Sequence, residues 1–215
     1  MKARILIADD HTVVRIGLRT ILEAQADMSV VGTAVNGRNA VAKADALRPD
    51  VVLMDISMPD LNGIEATRLI CSRHPSVRVV ILSMHHTTEF VFRAIRAGAR
   101  GYLLKESAGE EVVQAVRAVM KGQSFFGKGV ERPPKDVLVA SPHLPKSPLD
   151  SLSTREREIL QLVAEGKTSV EVAEILDLSP KSVETYRSRL MKKLGVTNVP
   201  SLVKFALQYG FTSLQ

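Results

Sequence analysis

Arg4-Ile5-Leu6-Ile7-Ala8-Asp9-Asp10 is the stretch whose reading decides the fold of this 215-residue chain. A short strand-like apolar run, 4–8, breaks directly into two carboxylates. The same grammar repeats downstream, with strand-like runs at about 29–35, 51–54, 78–82 and 101–104. Amphipathic stretches near 12–24, 37–47, 63–73, 87–97 and 108–121 separate them. Five βα units result. Such alternation predicts an α/β domain built on a doubly wound, five-stranded parallel sheet with helices on both faces, and ligands in such sheets bind at the carboxyl ends of the strands.

Beyond residue 123 the pattern stops. Ser124 to Asp150 holds Pro133, Pro134, Pro142, Pro145 and Pro148 with Gly127 and Gly129, a composition that reads as an interdomain linker. From Leu152 onward no strand pattern appears, and helices are expected at about 154–165, 169–176, 180–194 and 199–209. The expected organisation is therefore 1–123, linker 124–150, and a small all-α domain at 151–215. The apolar runs are far shorter than the roughly 18 residues a membrane span needs. With no secretory leader pattern at Met1-Lys2-Ala3-Arg4, the expectation is a cytoplasmic protein with no membrane partner. Cys71 is the only cysteine, which excludes an intramolecular disulfide and a cysteine metal cage. The absence of Trp and the 4% aromatic content argue against a base-stacking platform or a large aromatic ligand pocket.

Asp9 and Asp10 follow the first strand and Asp55 follows the third, so a parallel sheet brings three carboxylates to one edge. Like charges so placed raise one another's pKa unless a cation joins them, and Mg²⁺ is the hard divalent ion that suits one or two carboxylates plus phosphate oxygens. The fourth strand ends at Ser83 and the fifth at Lys105. A metal, a nucleophilic oxygen, a hydroxyl donor and a fixed ammonium are what phosphoryl transfer to a carboxylate requires. Singly, each residue has a plainer reading: Asp9-Asp10 as a helix cap, Lys105 as a surface lysine.

Ile7-Ala8-Asp9-Asp10-His11, Asp55-Ile56-Ser57-Met58-Pro59-Asp60-Leu61-Asn62-Gly63, Ile81-Leu82-Ser83 and Gly101-Tyr102-Leu103-Leu104-Lys105 resemble, in order, the motifs of response regulator receiver domains over residues 3–121. The resemblance implies a flavodoxin-like fold with Asp55 as phosphoacceptor. It makes Asp10 and the Ser57 carbonyl direct Mg²⁺ ligands, with Asp9 nearby through water. Ser83 would bind one phosphoryl oxygen, Lys105 would pair with another, and Tyr102 would be the aromatic whose rotamer follows phosphorylation. Met84 stands where many receivers have a small residue, and Glu106 where many have Pro.

In the C-terminal part, Ser179-Pro180 starts a helix whose apolar stripe is Val183, Tyr186, Leu190 and Leu194. Lys181, Thr185, Ser188 and Lys192 lie opposite, flanked by Glu184 and Arg189. Periodicity alone fits both a plain helical hairpin and a helix-turn-helix whose second helix enters the major groove. Leu152-Ser153-Thr154-Arg155-Glu156-Arg157-Glu158-Ile159-Leu160, Val172-Ala173-Glu174-Ile175-Leu176, Ser179-Pro180-Lys181-Ser182-Val183-Glu184-Thr185-Tyr186 and Lys192-Lys193-Leu194-Gly195-Val196 resemble the LuxR-type output domain over 151–210. Asp177 replaces the usual turn Gly, and Tyr186 a common His. Joined to a receiver, this resembles the NarL/FixJ subfamily. It implies base reading by Glu184, Thr185 and Ser188, beside Ser182, and phosphate contacts from Lys181, Arg189, Lys192 and Lys193. The function implied is a DNA-binding transcription regulator, phosphorylated by a sensor histidine kinase. It would bind double-stranded operator DNA as a homodimer paired through the final helix, and catalyse only its own phosphoryl transfer and dephosphorylation. The linker is long enough for the receiver to cover the recognition helix before phosphorylation. Two other classes compete: a carboxylate-nucleophile phosphatase, disfavoured by the acidic pair and the appended helices, and a binding module that ignores phosphorylation.

Overall fold

The computed structural model describes residues 2–131 and 148–212, so Pro133, Pro134, Pro142 and Pro145 of the expected linker lie outside the described residues. Strands β1 (Ala3–Ala8), β2 (Met28–Ala34), β3 (Val51–Asp55), β4 (Arg78–Ser83), β5 (Gly101–Leu104) and β6 (Phe125–Phe126) form one all-parallel sheet in the order β2-β1-β3-β4-β5-β6. Between them run α1 (Thr12–Glu23), α2 (Gly37–Leu47), α3 (Gly63–Arg73), α4 (Thr88–Arg96) and α5 (Ala108–Met120).

Alternate strand residues feed two cores, as the period of a strand requires. Ile5, Ile7, Leu53 and Leu82 pack with α1 and α5, while Leu6, Ala8, Met54 and Ile81 pack with α2, α3 and α4. Asparagines start two of the helices: the Asn36 side chain accepts from the Asn39 N–H at 2.8 Å, and Asn62 from the Glu65 N–H at 3.0 Å.

The sheet has a sixth strand where the sequence reads as linker. Phe125–Phe126 pairs with Gly101 and Tyr102, and Val130 joins the core. The buried Glu111 fixes this extension by accepting from the Lys128 N–H at 3.0 Å and the Ser107 hydroxyl at 2.9 Å. Two residues are too short a run to show periodicity, and the open edge of β5 recruits them.

A 3₁₀ turn, Pro148–Ser151, leads into α6 (Thr154–Ala164), α7 (Ser169–Leu176), α8 (Pro180–Leu194) and α9 (Val199–Gln208). Ser153 with Glu156 and Thr168 with Glu171 form reciprocal capping boxes on α6 and α7. The α7–α8 turn survives the loss of its usual Gly, with Asp177 in the left-handed region at φ 53°. Leu160, Val172, Val183, Leu190, Leu202, Ala206 and Phe211 make the core of this unit.

α6 is buried along Glu156–Val163, because one side faces its own core and the other the receiver-like unit. Arg157 Nη1 stands 3.5 Å from Glu65. At the far end, Arg93 of α4 donates to the Tyr209 carbonyl and lies 5.4 Å from the centroids of both Phe90 and Phe211. Gly210 sits at φ +62°, and a Cβ there would come 2.4 Å from the Phe90 ring. Gly210→Ala therefore adds left-handed strain and a clash, together roughly 1–3 kcal/mol. The expected outcome is a chain whose two units part, seen as a larger radius of gyration by small-angle X-ray scattering with unchanged helix content by circular dichroism.

Candidate functional site

The carboxyl edge of the sheet delivers the side chains that the sequence singled out. Asp9 is fully buried and Asp55 is 1% exposed. Lys105 Nζ lies 2.8 Å from an Asp55 oxygen and 2.9 Å from Asp9. Asp9 also accepts from the His11 N–H at 2.8 Å, and His11 Nδ1 stands 2.8 Å from Asp10. Burial, followed by the charge of Asp9, pushes the Asp55 carboxyl up to about 6 against the pull of Lys105. For Lys105, burial opposes the charge, but Asp55 and Asp9 raise its pKa.

One ligand atom each from Asp9, Asp10, His11 and Asp55 lies within 4.8 Å of the others. Hard carboxylate oxygens short of positive charge fit a divalent cation such as Mg²⁺. Asp10 and Ser57 line a cavity of about 380 Å³ that continues to Glu165, Lys167, Val203 and Leu207 of the helical unit.

Ser83 and Tyr102 meet on a residue that the sequence did not single out. The buried Ser83 hydroxyl accepts from the His85 N–H at 2.9 Å, and the Tyr102 hydroxyl donates to the His85 carbonyl at 2.7 Å. Tyr102 is turned inward, 1% exposed, and burial pushes its phenol up to about 12. The His85 ring stacks on Phe90 at 4.2 Å and 6°, with Nε2 3.4 Å from the Ser57 hydroxyl. Desolvation lowers the His85 pKa. Met84 is 71% exposed at the rim, beside Ser83, Lys105 and Glu106. Phe90 and Arg93 belong to an amphipathic stretch and His85 to the loop before it, and only the polar Gln161 inside Ile159-Leu160-Gln161-Leu162-Val163 carries a sequence signal of special burial.

On α8, Lys181, Glu184, Thr185, Ser188, Arg189 and Lys192 are exposed and Ser182 is half-buried at the helix start. Among the described residues the receiver-like unit does not cover this face, although the linker length would allow it. What it engages is α6 and the end of α9. Lys193 has a second partner: its ammonium lies 2.7 Å from the Glu156 carboxylate. Burial works to raise the Glu156 pKa, but Lys193 and Ser153 hold it below the usual value.

An α/β unit with an acidic carboxyl edge, joined to a four-helix unit whose second and third helices form an exposed helix-turn-helix, defines a two-domain DNA-binding regulator. Residues 5–117 match the response regulator receiver domain family, and 150–206 the luxR family of bacterial regulatory proteins. The chain is 38% identical over 212 residues to the transcriptional regulatory protein MctR of Rhizobium johnstonii, covering 99% of this chain and 96% of that one. It is 40% identical over 210 residues to the oxygen regulatory protein NreC of Staphylococcus aureus, covering 95% and 97%. The response regulator RcsB of Salmonella typhimurium superposes with a TM-score of 0.63 at 27% identity, over 97% of this chain and 98% of that one. An RcsB–DNA complex matches at 0.57 and 28%, over 95% and 98%. The chain belongs to the NarL/FixJ family of response regulators and is a transcription regulator of two-component signalling.

The raised Asp55 pKa has a stability consequence. Between its ordinary value of 3.8 and about 6 the folded chain binds the proton more tightly than the unfolded one. Asp55 therefore costs stability above pH 6, and the cost disappears as pH falls toward 4. Asp55→Asn is expected to stabilise the metal-free chain by up to about 3 kcal/mol at pH 8, shrinking toward zero at pH 4. Urea denaturation across that range checks this, and a pH-independent difference would contradict it.

Proposed function

We propose that Asp55 accepts a phosphoryl group from a phosphohistidine of a sensor histidine kinase, with Mg²⁺ held by Asp10, Asp55 and the Ser57 carbonyl and with Asp9 alongside. The observation that carries this reading is the meeting of Asp9, Asp55 and Lys105 within 2.9 Å contacts at the carboxyl edge, beside Asp10. An Asp55 oxygen attacks phosphorus, the N–P bond breaks, and the leaving imidazole keeps the electron pair and takes up a proton. A bound divalent cation supplies charge neutralisation of the phosphoryl oxygens. Lys105 holds one oxygen, Ser83 donates to another, and the chain catalyses only this transfer and the later hydrolysis, in which water attacks phosphorus and the Asp55 carboxylate departs, releasing inorganic phosphate. Such a protein works in the cytoplasm, where the kinase's donor domain and operator DNA both lie.

Pairing of two copies on double-stranded operator DNA belongs to the same reading. One recognition helix discriminates by roughly 1–3 kcal/mol per good base contact, too little to select one site in a genome. Glu184, Thr185 and Ser188, with Ser182, face bases, and Lys181, Arg189 and Lys192 face phosphates. Lys193 shares its charge with Glu156. Val203 and Leu207, on the helix expected to pair the copies, line the interdomain cavity here.

Incubation with Mg²⁺ and acetyl phosphate, followed by mass spectrometry of the intact chain and its peptides, tests the acceptor. One phosphoryl addition mapping to Asp55, absent from Asp55→Asn, is expected; equal labelling of the mutant elsewhere would overturn it.

For the DNA face, Lys192→Ala is expected to weaken binding to all sequences and to flatten the slope of log K against log[salt] by about 0.9. Thr185→Ala or Ser188→Ala instead changes sequence preference. Fluorescence anisotropy with specific and scrambled duplexes separates the two, and sedimentation on operator DNA should find two chains per site.

A further inference from the structure

Gln161 of α6 is 0% exposed although it carries a primary amide. Such an amide has two donor hydrogens and two acceptor lone pairs, and here all are engaged. Oε1 accepts from the Asn62 N–H at 2.7 Å and the Asn62 side-chain amide at 2.9 Å. Nε2 donates to the Met58 carbonyl at 3.0 Å and to Glu165 at 2.7 Å. Glu165, one turn on, accepts from the Asp60 N–H at 3.2 Å. The loop between β3 and α3 is thus held at Met58, Asp60 and Asn62 by a helix of the other domain.

This loop starts at the phosphoacceptor. Its internal bonds use the Ile56 and Pro59 carbonyls, accepting from Met58 at 3.1 Å, Gly63 at 2.9 Å and Leu61 at 2.7 Å. Gln161 takes the Met58 carbonyl. Among the described residues no hydrogen bond engages the Ser57 carbonyl that lies between them. Asp60 adopts φ 64°, a left-handed conformation costly for a residue with a Cβ. Besides Glu165, the Asn36 amide holds it at 2.9 Å.

We propose that Gln161 is a positioning residue for the cation site: from the DNA-binding domain it orders the 57–62 loop with the Ser57 carbonyl left free for Mg²⁺. The proposal rests on the reading of Asp10, Asp55 and Ser57 as ligands. A loop already ordered loses less conformational freedom when the ion binds, so docking of the output domain raises cation affinity. Linkage is reciprocal, and Mg²⁺ tightens docking by the same factor. The metal-free loop and the DNA-binding domain are then parts of one equilibrium.

Gln161→Met in the full chain keeps side-chain volume, charge and helix preference while removing all four bonds. Hydrogen exchange by mass spectrometry of metal-free protein reads the loop, and isothermal titration with MgCl₂ reads affinity. Expected are faster exchange in peptides spanning 57–63, unchanged exchange in β1, β3 and α5, and an Mg²⁺ Kd weakened about fivefold. Should that variant fail to fold, Glu165→Ala removes the Asp60 bond and carries the same exchange and affinity predictions. Unchanged exchange at 57–63 would overturn the positioning role, and faster exchange with an unchanged Kd would overturn the linkage. A parent chain that binds no Mg²⁺ would overturn the ligand reading and the inference with it, a result distinguishable because exchange alone would still report whether Gln161 holds the loop.

Discussion

Two buried carboxylates share one ammonium, and most of the molecule is arranged around that imbalance. Asp9 and Asp55 both lie within 2.9 Å of Lys105, and Asp10 stands beside them, 2.8 Å from His11 Nδ1. Removing such groups from water is expensive unless each is paired. The parallel sheet is what forces the crowding, since β1, β3 and β5 end on the same edge. Neither strand order nor helix packing relieves it. Burial and the charge of Asp9 raise the Asp55 pKa against the pull of Lys105, and a site so short of positive charge favours the entry of a cation.

That edge is also where the second domain rests. The loop running from Asp55 to α3 is gripped by Gln161 and Glu165. On the other side, His85 links Ser83 and Tyr102 to the Phe90 ring, against which Gly210 packs. Both routes are continuous chains of hydrogen bonds and packed rings, short enough that movement of Ser83 or of the loop displaces atoms of the interface directly. Contiguity of this kind carries coupling only if the interface has two arrangements, and its polar make-up suits that requirement. Interfaces built from amides and guanidinium groups can part into water without exposing a large apolar face.

The strands and helices were legible almost to the residue because each βα unit repeats a strong pattern and the C-terminal helices carry caps: Ser179 accepts a backbone N–H where its pairing with Pro180 predicts, and Ser153, Thr168 and Asn198 do the same on the other three. The acidic site was legible because topology alone converts positions in sequence into one edge in space. What escaped were contacts whose partners lie far along the chain. Phe125–Phe126 becomes a strand only because β5 offers an edge. Lys193 was a phosphate contact by resemblance to the family, which does not name the Glu156 that stands beside it. The final helix was expected to pair two copies, yet Val203 and Leu207 line a cavity shared with the receiver. Gln161 was not singled out although it is a polar residue in an apolar run, and nothing in the run names Met58 or Asn62.

The strength of the docked arrangement follows from which contacts are buried. Arg96 with Asp150 lies toward solvent, so this rim pair adds little. The bonds of Gln161 are different, because inside the interface they are obligatory: a mismatched neighbour would strand a buried amide and cost the full desolvation of that group. Opening the interface strands nothing, since water replaces each partner. These bonds therefore give the docking its register. In a pair of domains so joined, a ligand that binds one arrangement better than the other can shift the population. Burying more apolar surface between the domains would raise stability and remove that sensitivity.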